Sequence, residues 1–387
     1  MVFDQATLLV RGSKIAAVGS SRDITIPKGS IRIDGRGLTV IPGLIDCHVH
    51  LCLGGEPDVV ATLESESPSY TLLKSAKHAK MTIEAGFTTV RDVGSRDHSI
   101  FALKRAIESG ILTGPRIVGA GLAICMVGGH ARFIGQQVEG TEQVRQVVAA
   151  QVAAGAEVIK VIASGGVLTP GTSPDQAQMT REELSAAVDA ARRAEKKVAA
   201  HAHGASGMKN AIWAGVHSIE HATLMDDEAG DLMKRHSVYM VPTLSALATT
   251  AASRPGCGIP ASVVDKARSM TKRHQASFKK AHESGILIAM GTDAGTPLNY
   301  HGENAQELDR MVTFGMTPME AIVASTAAAA RLIGIQNSVG TLVKGMQADI
   351  VVIDGNPLRR IECLRDRGRI MGVMQAGKFV SGPLSRV

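Results

Sequence analysis

Short apolar runs recur through the middle of the chain, and most are separated by stretches whose apolar positions repeat at helical spacing. In order, Gly43 to Cys47, Thr88 to Asp92, Arg116 to Gly119, Val158 to Ile162, Val198 to His201, Ser218 to Glu220, Tyr239 to Pro242 and Leu287 to Gly291 read as strands. Runs such as Val158-Ile159-Lys160-Val161-Ile162 are too short for a helix and rich in β-branched residues, which pack well on a pleated surface. Arg181 to Lys196 reads as a helix. Thr180 can cap its first turn, and Glu182 and Glu183 set negative charge beside the free N–H groups there. Eight strand–helix units predict an α/β fold, a (β/α)8 TIM barrel spanning residues 41–340. A doubly wound open sheet competes, but Gly119-Ala120-Gly121 leads into no phosphate-binding turn.

The two ends have a different texture. Thr7 to Val10 and Ile15 to Val18 read as strands joined by the Arg11-Gly12-Ser13 turn, and Ile31-Arg32-Ile33 as a third. Near the other end, Asp349 to Ile353 is followed by a turn at Asp354-Gly355-Asn356-Pro357, then by strands at Ile370 to Met374 and Lys378 to Val380. Strand-rich ends around an alternating middle predict a small β-sandwich domain built from both termini, residues 1–40 plus 341–387.

Composition fits this picture. The chain has 387 residues, 44% hydrophobic and 20% charged, enough for one large barrel and a smaller unit. Aromatics are only 3%, so Val, Ile, Leu, Ala and 16 Met must fill the core. The formal charge of +6 is spread out. The densest basic run, Lys266 to Lys280, carries Arg268, Lys272, Arg273 and Lys279 without aromatic interleaving and reads as a solvated helix face, so no nucleic-acid partner is expected. Five cysteines at irregular spacing form no disulfide framework or zinc pattern, which suits a reducing cytoplasm. The opening Met1-Val2-Phe3-Asp4 does not resemble a secretory leader, and no apolar stretch is long enough for a bilayer, so no membrane association is expected.

Several residues with chemistry to offer sit at or near strand ends. His48 and His50 are two apart, so on a strand both rings face the same way and can reach one metal. Lys160 interrupts an apolar strand, where a charged amine is costly unless paired or modified. Two readings follow: an ion pair with Glu157 or Glu220, or a lysine that has reacted with carbon dioxide to give an anionic, bidentate carbamate. His201-Ala202-His203 repeats the His-x-His spacing, His221 follows Glu220, and Asp293 follows Gly291-Thr292. His217 reads as a packing residue. Together these suit a two-metal hydrolytic centre.

Pro42 to His50, Ile159-Lys160-Val161, His201-Ala202-His203-Gly204, Glu220-His221, Gly291-Thr292-Asp293-Ala294 and Gly345 to Val351 occur in the order that resembles the amidohydrolase superfamily. The likeness covers nearly the whole chain. It is greatest to the imidazolonepropionase-like and Xaa-Pro dipeptidase (prolidase)-like branch. The resemblance implies two divalent ions, usually zinc. His48, His50 and Asp293 would hold one, His201 and His221 the other, with N6-carboxylated Lys160 bridging them. It also implies attack by a shared hydroxide, with Asp293 moving the proton to the departing amine and His203 nearer the substrate.

Other candidate contacts come from the loops. His130 and Arg132, in Val127-Gly128-Gly129-His130-Ala131-Arg132, can meet a carbonyl oxygen and a carboxylate. Tyr239 can steady an oxyanion as a catalytic side chain, and His301 in Asn299-Tyr300-His301-Gly302 can cap the pocket. Ser164-Gly165-Gly166 and Thr169 to Pro174 read as a mobile lid. The expected activity is hydrolysis of the amide bond of a small dipeptide or N-acyl amino acid. Lactones, carbamates and organophosphates are the alternative substrates, and a non-catalytic scaffold is the remote one. The expected partner is a small molecule, and the resemblance implies a homo-oligomer.

Overall fold

The computed structural model describes residues 2–386. Strands Leu44–Val49, Phe87–Asp92 and Arg116–Gly119 form one parallel run; Val158–Ile162, Lys197–Gly204, Ser218–Leu224 and Tyr239–Val241 form another. The runs meet at two seams. At the first, the Glu157 N–H donates to Gly119 O (2.9 Å). At the second, residues 287–294 bond to both neighbours: Met240 N–H to Leu287 O (2.8 Å), Cys47 N–H to Met290 O (2.9 Å) and Asp293 N–H to His48 O (2.8 Å). This is the eighth barrel segment, linked by single bridges and not by a regular ladder. The irregularity has local causes: Asp293 sits at φ 60°, and a Cβ on Gly291 would lie 2.4 Å from Val241 Cγ1. The helices between the strands complete a TIM-barrel-like α/β fold.

One insertion is absent from the sequence reading. Ala123–Met126 and Gly135–Val138 pair with each other and touch the fourth barrel strand through Ile124 and Val161. The Val127–Arg132 loop therefore joins two extra strands instead of leaving the third barrel strand.

Strand alternation divides the barrel into two environments. Ile159, Val161, Val198 and Ala200 belong to the main core with helix residues Leu184, Ala187 and Val188. Val158 and Ala199 instead pack inward with Val93 and Val118. Lys160 shares this inward parity, which is how a lysine in an apolar strand comes to face the barrel interior. The helix Arg181–Arg193 carries a full capping box: Thr180 Oγ1 accepts from the Glu183 N–H, and Glu183 Oε2 accepts from the Thr180 N–H (2.9 Å).

The termini do come together. Leu38–Pro42, Ile350–Asp354, Ile370–Gln375 and Lys378–Ser381 form an antiparallel sheet. The hairpin Ala6–Arg11 and Lys14–Ser20 packs on it through Ile15, Leu8 and Val10. This part is continuous with the barrel, because Val351, Ile353, Ile370 and Val373 belong to the main core. Arg116 also pairs with Asp349 across the join (2.9 Å). Ile31-Arg32-Ile33 forms no strand and is exposed, having no neighbour to pair with. Among the described residues, no helix is long and apolar enough to cross a membrane.

Asp46 ties the first barrel strand to the eighth segment. Fully buried, it accepts from His48 N–H (3.0 Å), Thr292 N–H (3.1 Å), Thr292 Oγ1 (2.6 Å) and Asn304 Nδ2 (2.8 Å). Asp46→Ala strands four donors in a dry interior. It is expected to lower unfolding free energy on the order of 3–5 kcal/mol in chemical denaturation, or to prevent folding. A loss below about 1 kcal/mol would show that the seam does not need the carboxylate.

Candidate metal centre

The chemistry-bearing side chains meet at one end of the barrel, around a cavity of about 70 Å³. His48, His50, Lys160, His201, His203, His221 and Asp293 all line it. Two groups stand out by ligand-atom spacing: His48, His50 and Asp293, and His201, His203 and His221, with the atoms of each group within 4.8 Å of one another. His203 thus joins the second group as well as facing the cavity.

Hydrogen bonds fix which ring nitrogens are free. His48 Nδ1 lies 2.8 Å from Glu220 Oε2 and His50 Nδ1 lies 2.8 Å from Gly94 O. Both partners can only accept, so both Nδ1 atoms carry the proton and both Nε2 atoms keep a lone pair. Those Nε2 atoms each sit 3.3 Å from Asp293 Oδ1, which has no hydrogen bond of good geometry. His201 is reversed: Nε2 faces Gly165 O (3.1 Å), leaving the Nδ1 lone pair 2.9 Å from His221 Nε2. His221 Nδ1 is held by Thr243 Oγ1 and His203 Nδ1 by Thr223 Oγ1. Burial holds His201, His203 and His221 well below the usual imidazole range, with neighbouring imidazoles and Lys160 adding to the effect.

Lys160 makes neither of the ion pairs that the sequence suggests. Glu157 pairs with Lys104 (2.7 Å), and Glu220 pairs with Arg91 and His48. The Lys160 ammonium nitrogen is buried with no hydrogen-bond partner among the described residues. Burial pushes its pKa down to about 8, with Arg91 acting in the same sense. A buried amine without a partner, an unbonded carboxylate oxygen and convergent imidazole lone pairs suit divalent cations. Borderline cations such as zinc accept this nitrogen and oxygen donor set.

The supports are Arg91, which the sequence reading missed, and Glu220, which it named only as a candidate partner of Lys160. Arg91 is among the largest fully buried side chains. It donates to Cys47 O (2.6 Å), to Ser218 Oγ (3.1 Å) and to Glu220 Oε1 (2.8 Å). Burial would raise the Glu220 carboxyl, but Arg91 and His48 hold it at about 2. The only sequence signal for this pair is the parity of a charge within an apolar strand. Several site residues adopt the left-handed region: His221 at φ 73°, Thr243 at 52° and Asp293 at 60°. Non-glycine residues take such conformations where the surroundings force them.

Of the expected substrate contacts, His130 lines the cavity and His203 does too. The other three lie elsewhere. Arg132 is exposed and outside the cavity wall, because it begins the short turn Arg132–Ile134 and only Phe133 and Ile134 point inward. Tyr239 opens its strand, so it lies at the opposite barrel mouth, beside Lys197 and His217. His301 is buried against His78, its Nε2 bonded to Leu53 O (3.0 Å) and His50 O (3.2 Å). The expected mobile lid is tied down: Gly165 O engages His201, Ser164 Oγ accepts from the His203 N–H, and Val167 and Leu168 form cavity wall.

A model of the amidohydrolase family matches residues 39–380. The chain belongs to the amidohydrolase family. Ochratoxinase from Aspergillus niger is 32% identical over 411 residues, covering 98% of this chain and 83% of that protein. Among solved structures, a Xaa-Pro dipeptidase with methionine bound in its active site matches this amidohydrolase with a TM-score of 0.90 and 37% identity, covering 97% and 95% of the two chains. A prolidase complexed with N-methylphosphonate-L-proline gives 0.89 and 32%, covering 96% and 94%. These relatives, with more distant imidazolonepropionases, set the branch of the family.

Two expectations follow for this amidohydrolase. Glu220→Gln weakens the hold on the His48 tautomer, so metal retention against a chelator should fall about 10–100-fold. Unchanged retention would remove Glu220 from that role. Burial also lowers His274 to about 4 and His130 and His301 to about 3, from 6.5. Between about pH 6.5 and 4 the unfolded chain binds protons that these folded histidines refuse, so stability falls as pH drops through that window. His274→Gln keeps a donor for His221 O, 3.0 Å away. The variant should flatten the fall in denaturation free energy by up to about 1.4 kcal/mol per pH unit, and an unchanged slope would contradict this.

Proposed function

We propose that this chain hydrolyses the amide bond of a small dipeptide or N-acyl amino acid, using two divalent ions, zinc by expectation. The observation that carries this reading is the pair of imidazole clusters facing a buried, unpartnered Lys160 in one cavity. His48, His50 and Asp293 would hold one ion, and His201 and His221 the other. When bound, the ions acidify water and polarise the scissile carbonyl. Lys160 would bridge them after its neutral amine adds carbon dioxide and loses a proton, a step helped by a pKa lowered to about 8.

The chain's own groups supply the rest. Asp293 is the one carboxylate of the two groups, and the positive charge of a bound ion would hold it ionised. One of its oxygens can take a proton from the attacking water and pass it to the departing nitrogen. His130 sits against the cavity with Nδ1 anchored by Thr169 Oγ1 (2.9 Å), leaving Nε2 free to donate to the substrate carbonyl. His203 lies beside it, ordered by Thr223. Phe133, Ile134, Ile162, Leu168 and Leu247 line the cavity and keep bulk water from the reacting bond. The names of the relatives support amide cleavage: an Xaa-Pro dipeptidase, a prolidase and an ochratoxinase.

The test is release of free amino acid from a panel of dipeptides and N-acyl amino acids by metal-loaded protein. Cleavage of one class supports the reading and names the leaving group. Silence from protein that retains two metals sinks it in favour of lactones, carbamates or phosphoesters. Lys160→Ala should lose at least one metal equivalent by elemental analysis and nearly all turnover. Unchanged metal content would rule out the carbamate bridge.

A further inference from the structure

One wall of the cavity depends on a lysine that the chemistry above does not use. Lys266, on the helix Ala261–Glu283, directs its ammonium at three backbone carbonyls of the loop after the fourth barrel strand. It lies 2.8 Å from Thr172 O, 3.2 Å from Thr169 O and 3.4 Å from Gly166 O. An ammonium has three donors, so the loop engages all of them. The acceptors recur every third residue, which curls the loop around the charge.

That loop touches the centre at several points. Gly165 O orients His201, Thr169 Oγ1 holds His130, and Val167 and Leu168 form cavity wall. There is little slack: a Cβ on Gly165 would lie 2.1 Å from Ser173 O, and one on Gly166 would lie 2.2 Å from His130 Nε2. The barrel holds one side of the loop, and Lys266 holds the other.

We propose that Lys266 is a positioning residue. By gathering the three carbonyls it fixes the Val167–Leu168 wall and the ring of His130, and so sets how tightly a substrate is held without touching it. The substrate half of this statement rests on the amide-hydrolase reading; the loop half does not.

The test compares the full-length, metal-loaded protein with Lys266→Met, which keeps the stem and removes the donors, and with Lys266→Arg, which restores donors. Hydrogen exchange is followed across residues 165–173, and the kinetic probe is N-acetyl-L-methionine. In Lys266→Met the loop amides should exchange about tenfold faster while the barrel strands stay protected. KM should rise about tenfold with kcat within about threefold, and Lys266→Arg should recover part of both changes. Loop exchange no faster than in the unaltered chain overturns the proposal. Faster exchange with unchanged KM makes Lys266 purely architectural and overturns it as well. If the unaltered protein does not cleave the probe, the amide reading fails there. Calorimetric binding of the same probe then replaces KM, and equal affinity in Lys266→Met, or no binding to the unaltered chain, overturns the positioning role.

Discussion

A guanidinium and a carboxylate buried inside the barrel organise everything above them. Arg91 reaches from the second strand across the interior to Glu220 on the sixth, and both are essentially sealed from solvent. Two buried charges are tolerable only when each is paired and hydrogen-bonded. Here Arg91 also bonds Cys47 O and Ser218, while Glu220 bonds His48. The pair thereby connects three strands and sets the tautomer of a candidate metal ligand. It also occupies Glu220, which leaves Lys160 without a partner.

Frustration is concentrated at the barrel mouth above that pair. The His48 and His50 Nε2 lone pairs face Asp293 Oδ1, which lacks a good donor, and His221, Thr243 and Asp293 have positive φ. A fold driven only by stability would relieve these conflicts. Surrounding structure maintains them: Asp46 locks the segment bearing Asp293, and the Glu307 carboxylate accepts from the Leu244 and Ser245 N–H groups just beyond Thr243 (both 2.7 Å). Cations held there would satisfy the lone pairs and the carboxylate oxygen together, which would couple metal binding to the rigidity of this mouth.

The walls are held by side chains and not by the strand ladder. Glycine-rich loop 164–173 and the helix Leu244–Ala251 form much of the cavity boundary, held by Lys266 and Glu307 respectively. The strand-borne candidate ligands are fixed by the barrel ladder, whereas the cavity walls hang on a few side-chain bonds.

The seven regular barrel strands and the two His-x-His pairs that meet in the cavity were legible in the sequence because both depend on local periodicity. A strand reverses its side chains every residue, so a His-x-His pair or a lone lysine in an apolar run reveals its face and its cost. Ile31-Arg32-Ile33 shows the limit, since alternation without a neighbouring edge makes no strand. The Arg91–Glu220 pair, the exclusion of Arg132, Tyr239 and His301 from the cavity and the grip of Lys266 were decided only in three dimensions. Each depends on which groups meet across sequence separations of 44 to 251, as Arg91 meets Cys47 and His301 meets His50. Sequence fixes what each residue can do and which way it faces locally; barrel closure decides which partners it finds, because contact energies depend on distance and desolvation that no local pattern encodes.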